Sequence, residues 1–147
     1  MEPNFRVSDE ADPALRDSLL QGLRSFNDAT FGPSAWRLLS VAHTDPATGE
    51  VLAGLWGRTS YGWLYVELLY VSDRLRGTGI GPALLRAAEE EAVRRGCGKA
   101  RLDTFGLRNR AFYEKHGYTV YAELGDFPPG DTHFYLMKTL ADAQANA

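Results

Sequence analysis

The sequence predicts a mixed α/β domain, a mostly antiparallel sheet with one central βαβ crossover. Three observations predict it. Short apolar runs separated by turn residues occupy positions 36 to 71, as expected for antiparallel neighbours. A long amphipathic stretch then starts near Ile80 and stops at Gly96. A further apolar run follows it, and a helical crossover returns the chain parallel to the strand it left.

Taken in order, Asn4 to Val7 is expected to form a short opening strand. Asp12-Pro13 starts a helix whose Leu15, Leu19, Leu20, Leu23 and Phe26 share one face, and Gly32-Pro33 stops it. Trp36 to Ala42 reads as a strand, Asp45 to Gly49 as a hairpin loop, and Val51 to Thr59 as the returning strand. Tyr61-Gly62 turns the chain into the strand Trp63 to Val71. In the long helix, Ile80, Leu84, Leu85, Ala88 and Ala92 form the apolar face. Glu90 with Arg94 and Glu91 with Arg95 form outward pairs. Lys99 to Thr104 is the parallel strand, Arg110 to His116 a short helix ended by Gly117, and Tyr118 to Leu124 and His133 to Leu140 the last two strands.

With 147 residues, 44% of them hydrophobic, the chain fits a single domain with a full core. Its net charge of −3 and scattered arginines exclude a general nucleic-acid or anionic-membrane binder. The lone Cys97 rules out an internal disulfide and fits a reducing compartment. No apolar run approaches the roughly 18 residues of a membrane span, and no signal-peptide pattern is present, so a cytoplasmic location is expected. His43, His116 and His133 are far apart and read as loop or surface residues. No metal is expected, and no Ser or Cys stands in a nucleophile elbow.

The most informative stretch is Arg76-Gly77-Thr78-Gly79-Ile80-Gly81, between a strand and a helix. Its glycines lack the Cβ atoms that would hold a ligand off the backbone. Successive amides in such a turn, continued by a helix N-terminus, make a concave anion site. A P-loop would need Lys and Ser or Thr after the last glycine, where Pro82 and Ala83 stand. A dinucleotide fingerprint would need another spacing. A plain helix-start turn and a pyrophosphate cradle both remain.

Leu69-Tyr70-Val71, the glycine stretch and Phe112-Tyr113-Glu114-Lys115-His116-Gly117-Tyr118 follow in register. Together they resemble the GNAT superfamily of acetyl-CoA-dependent N-acetyltransferases, small bacterial type. The resemblance implies a bulge in the strand before the glycine turn and a V-shaped splay between the two central strands. It implies acetyl-CoA as co-substrate, with pantetheine paired to the backbone of Leu69 to Val71, including Tyr70. Amides of Arg76, Gly77, Thr78, Gly79, Ile80 and Gly81 would take the pyrophosphate, with Tyr113 beside the thioester sulfur. It also implies an acceptor pocket shaped by roughly residues 26–36 and 125–133, and it is compatible with a homodimer whose seam is not legible. The family often has Asn seven residues before the Tyr and Ala four before it. Gly106 and Asn109 stand there instead, so Asn109 carries no family role.

The implied reaction moves an acetyl group directly to a primary amine of a small molecule or peptide. An alkylamine of pKa about 10.4 is neutral in only roughly one molecule in two thousand at pH 7, so a base helps. Glu67 alternates with Trp63, Tyr65, Leu69 and Val71, placing a carboxylate on a largely apolar face as a base or as a structural acid. Asp103, across the slot, is the second candidate base or a cap of the following turn. Asp126 and Asp131 read as solvated loop acids. Tyr113 would hydrogen-bond the leaving sulfur or be a core aromatic. Two other readings stay open: an acetyl-CoA-binding module without turnover, and a regulatory domain for another nucleotide.

Overall fold

The computed structural model describes residues 1–140. Contacts divide the chain into two compact units, Met1–Ser34 and the part from Ala35 onward.

In the first unit, helix α1 (Pro13–Phe31) starts where Asp12 accepts a hydrogen bond from the Leu15 amide at 3.0 Å. Pro13 fits the first turn because an N–H there would have no helical partner. The Gly32 amide closes the last turn on the Asp28 carbonyl at 3.0 Å. None of the helix residues is buried. The opening strand expected over Asn4 to Val7 is not formed, and Phe5 and Val7 are exposed. Two alternate apolar side chains do not hold a strand without a paired neighbour.

The second unit carries a six-stranded sheet in the order β1-β2-β3-β4-β6-β5. Its strands are β1 (Arg37–Thr44), β2 (Val51–Ser60), β3 (Trp63–Val71), β4 (Lys99–Phe105), β5 (Thr119–Gly125) and β6 (Thr132–Thr139). All neighbours are antiparallel except β3 and β4, which α2 (Ile80–Arg94) connects. The expected crossover is therefore present. Helix α3 (Gly106–Lys115) begins four residues before the expected Arg110. The polar run Arg108-Asn109-Arg110 conceals this first turn from a pattern reading, and the Asn109 side chain donates back to the Phe105 carbonyl at 2.8 Å.

One face of the sheet holds the core. Leu55, Leu64, Val66, Ala100, Leu102, Phe134 and Leu136 alternate onto it, and α2 adds Leu84, Leu85, Ala88 and Ala92. The helix ends as expected at Gly96: the Cys97 amide returns to the Ala92 carbonyl and the Gly96 amide to the Val93 carbonyl, both at 2.9 Å. The outer pairing differs from the expected Glu90–Arg94 arrangement. Arg94 and Arg95 both bond Glu91, at 2.9 and 3.1 Å, because positions three and four apart are equally near on a helix. Arg95 also reaches the Leu38 carbonyl at 3.0 Å and so ties the helix end to β1.

Glu89 sits on the buried face of α2, which apolar periodicity alone does not suggest. It accepts from the Tyr118 hydroxyl at 3.0 Å and pairs with Lys138 at 2.9 Å. Burial, then the Glu89 charge, pushes the Tyr118 phenol well above its ordinary range. Removing one member of such a pair strands the other. Glu89→Ala is expected to cost about 2–3 kcal/mol in urea unfolding, less than for a sealed pair because Lys138 is 26% exposed. A loss under about 1 kcal/mol would show that Lys138 simply turns to water.

Candidate active site

The site is built where β3 and β4 part. They pair only from Trp63↔Lys99 to Val66↔Leu102, so residues 67 to 71 have an open edge on that side. On the other side, Gly57 faces Val66 and Trp56 faces Leu68, which leaves Glu67 as an extra residue. That is a β-bulge, and it turns β3 away from β4. Gly57 makes it feasible: a Cβ there would collide with the Tyr65 carbonyl oxygen. The expected bulge and splay are both observed.

The bulge also reverses which residues face the core. Leu64 and Val66 are buried before it, whereas Leu69 and Val71 pack toward the core after it. The alternation that places Glu67 on an apolar face therefore breaks at Glu67 itself. Its side chain is 47% exposed and stands 3.9 Å from Arg58, so the desolvation expected for it is absent. An exposed pair of this length contributes little to stability.

The open edge of β3 presents particular amides. The Ser72 amide bonds the Leu52 carbonyl at 2.8 Å, toward β2. Alternation along the strand then points the Leu69 and Val71 amides to the open side and the Tyr70 amide into the sheet. Tyr70 therefore offers the open edge no amide, and the residue is 55% exposed.

In the glycine stretch the six amides are not equivalent. Those of Arg76 and Thr78 close turns onto the Asp73 and Leu75 carbonyls at 3.3 Å. Among the described residues, the amides of Gly77, Gly79, Ile80 and Gly81 have no hydrogen-bond partner. Gly79 has φ +85 at the helix cap, a left-handed conformation that favours glycine and keeps these donors convergent. Arg76 pairs with Asp73 at 2.8 Å, both side chains largely exposed. The Thr78 hydroxyl donates to the Leu75 carbonyl.

Tyr113 projects from α3 into the core, edge-on to Phe112 at 5.0 Å and to Tyr118 at 5.9 Å. It is 8% exposed, and its hydroxyl makes no hydrogen bond among the described residues. Burial first, and the Asp103 carboxylate second, push its phenol up to about 12. It remains a donor throughout the neutral range.

Asp103 is the first β4 residue beyond the last β3 partner, at the apex of the splay. It accepts from the Tyr65 hydroxyl at 3.1 Å and bonds His133 Nε2 at 2.9 Å, so it does not cap the following turn. Burial, then Asp103, raises the Tyr65 phenol, and the guanidinium groups of Arg101 and Arg58 lie 4.2 and 4.6 Å from its ring centroid. His133 is only 5% exposed, contrary to the loop or surface position expected for it. Phe127 stacks on it at 4.8 Å, and Phe105 and Tyr135 close around its edges. A lone histidine bounded by loop residues gives no sequence signal of this burial. Asp126 and Asp131 accept from the Gly130 and Thr132 amides, both at 2.8 Å, as ordinary loop acids.

Strand register puts Tyr65, Asp103, His133 and Tyr135 on the face opposite the core. The Arg58 contact sets Glu67 there too. A cavity of about 410 Å³ opens on this face beside Tyr65, Trp63, Arg101 and Tyr121. The splay thus has a phenol on its core side and two carboxylates on the other. Among the described residues, no helix is long and apolar enough to cross a membrane.

Comparison with known proteins agrees with this geometry. Residues 10–118 match the profile of the "Acetyltransferase (GNAT) family". The chain is 40% identical over 135 residues to acetyltransferase Atu2258 of Agrobacterium fabrum, covering 92% of this chain and 98% of the relative. It is 38% identical over 93 residues to blasticidin-S acetyltransferase of Streptomyces morookaense, covering 63% and 68%. The crystal structure of an Agrobacterium tumefaciens protein described as an acetyltransferase superposes with a TM-score of 0.85 at 39% identity, over 94% of this chain and 100% of that one. The chain belongs to the GNAT family and is an acetyltransferase.

Proposed function

We propose that the protein transfers an acetyl group from acetyl-CoA directly to a primary amine of a small molecule or peptide. The observation that carries this reading is the open edge of β3 running into four unpartnered amides. Pantetheine extends the sheet along Leu69 and Val71, and the pyrophosphate meets Gly77, Gly79, Ile80 and Gly81. The relative named for blasticidin S supports a small-molecule acceptor.

Tyr113 hydrogen-bonds the sulfur as the C–S bond breaks. Full proton transfer from a phenol near 12 to a thiolate whose acid has pKa about 8.5 is uphill by roughly 5 kcal/mol, so the phenol stabilises the leaving group rather than protonating it. Glu67, at the water-accessible mouth, takes the proton of the incoming ammonium. Lost help in deprotonating the ammonium matters less as the amine becomes neutral in solution. Glu67→Gln is therefore expected to lower kcat/KM about 10-fold near pH 7 and to recover toward wild type above pH 9. A deficit independent of pH would remove this role.

The test of the whole reading is release of free thiol from acetyl-CoA across a panel of amines, beside thermal protection by acetyl-CoA. Protection without release from any amine would favour a binding module. Better protection by ATP or NAD would favour another nucleotide.

A further inference from the structure

Two buried side-chain atoms lack a hydrogen-bond partner among the described residues, Ser72 Oγ and His133 Nδ1, and the second belongs to a ring that can carry a proton. The His133 side chain is 6% exposed, yet Nδ1 has no hydrogen-bond partner while Nε2 is held by Asp103. An orphaned buried nitrogen of this kind is costly, and core histidines usually avoid it. An Nε2–H donating to a carboxylate fixes the tautomer that leaves Nδ1 with its lone pair free. Asp103 is in turn braced by the Tyr65 hydroxyl, so both carboxylate oxygens are occupied. The arrangement fixes the orientation of the imidazole.

We propose that Asp103 and His133 act together as the proton-accepting pair of the acetyl transfer, a role no residue at position 133 was expected to hold. The proposal rests on the acetyltransferase reading above and assigns a step within it. Two protons must leave the acceptor nitrogen. Glu67, the most exposed of the acidic groups on this face, takes the first from the ammonium outside. The free amine then forms the C–N bond with the thioester carbon. One N–H bond of the resulting cationic adduct nitrogen breaks toward the Asp103–His133 pair, and the C–S bond breaks with its electrons going to sulfur. The thiolate, held by the Tyr113 hydroxyl, is protonated from solvent, and Glu67 and the pair return their protons there.

Charged and titratable groups face the pair from each neighbouring element: Tyr65 from β3, Arg101 beside Asp103 on β4, Tyr135 from β6, and Tyr113 from α3, on whose phenol Asp103 acts. None of them donates to Nδ1. Phe105 and Phe127 supply the apolar walls. A free lone pair in such a setting is a base kept from water.

The test compares pH–rate profiles of His133→Gln, Asp103→Asn, Tyr65→Phe and Glu67→Gln with wild type, using one amine that wild type acetylates. Loss of His133 or Asp103 is expected to lower kcat about 10²-fold and to flatten the acidic limb, with no recovery at high pH. Tyr65→Phe, which only loosens Asp103, is expected to lower kcat several-fold and shift that limb. Thermal protection by acetyl-CoA should stay near wild type in all four. Recovery of His133→Gln at high pH, or an unchanged acidic limb, would overturn the proposal. If His133→Gln does not fold, Asp103→Asn decides by the same criteria. Absence of thiol release from wild type would instead sink the acetyltransferase reading itself.

Discussion

Tyr113→Phe is expected to lower kcat by about 10²-fold while leaving acetyl-CoA binding within a few-fold of wild type. The hydroxyl is the only atom removed, and it makes no hydrogen bond among the described residues, so the fold loses no bond. The ring keeps its edge contacts with Phe112 and Tyr118. On the proposed reading, what goes is a donor to developing negative charge on sulfur, in a buried setting where such donors matter most. Because burial holds the phenol near 12, the deficit should be constant from pH 6 to 9. Single-turnover thiol release beside calorimetry with acetyl-CoA would measure both quantities. A variant as fast as wild type would show that sulfur leaves without help from this residue.

Gly57→Ala is expected to damage structure and activity together. The added methyl runs into the Tyr65 carbonyl, so β2 must move from β3 at the point where Glu67 bulges out. Overpacking of this kind costs about 1–3 kcal/mol, and backbone rather than a pliable side chain must yield here. The easiest relief is to flatten the bulge, which would reverse the facing of every residue from Leu68 to Val71. A lowered melting temperature and a loss of acetyl-CoA protection well beyond the stability change are the expected results. Gly54→Ala is the useful comparison, since its Cβ would meet the Val41 carbonyl at 3.2 Å, away from the bulge. Equal effects from both would show that the bulge has no special role.

How much was legible follows from what each residue can signal. The ends of β3 and the start and stop of α2 were plain because Tyr61-Gly62, the glycine stretch and Gly96 punctuate long apolar patterns. The three motif blocks in register pointed to the family, and the family match and the fold agree with them. The bulge was available only through the resemblance. Leu68 and Leu69 are both leucine, so the reversal of facing leaves no mark on the apolar pattern, and Glu67 was assigned an apolar face it does not have. The partners of amides are likewise silent in a sequence, which is why Arg76 and Thr78 looked equal to their neighbours. His133 and Tyr65 escaped notice because their importance comes from Asp103, which lies 30 and 38 positions away.

Four residue pairs are the whole seam between β3 and β4. The sheet is therefore two three-stranded leaves stitched at one end, like a book held by part of its spine. Whatever lies between the leaves must complete the binding, so a seated thioester should slow amide exchange at Leu69 and Val71 while leaving Trp63 to Val66 unchanged.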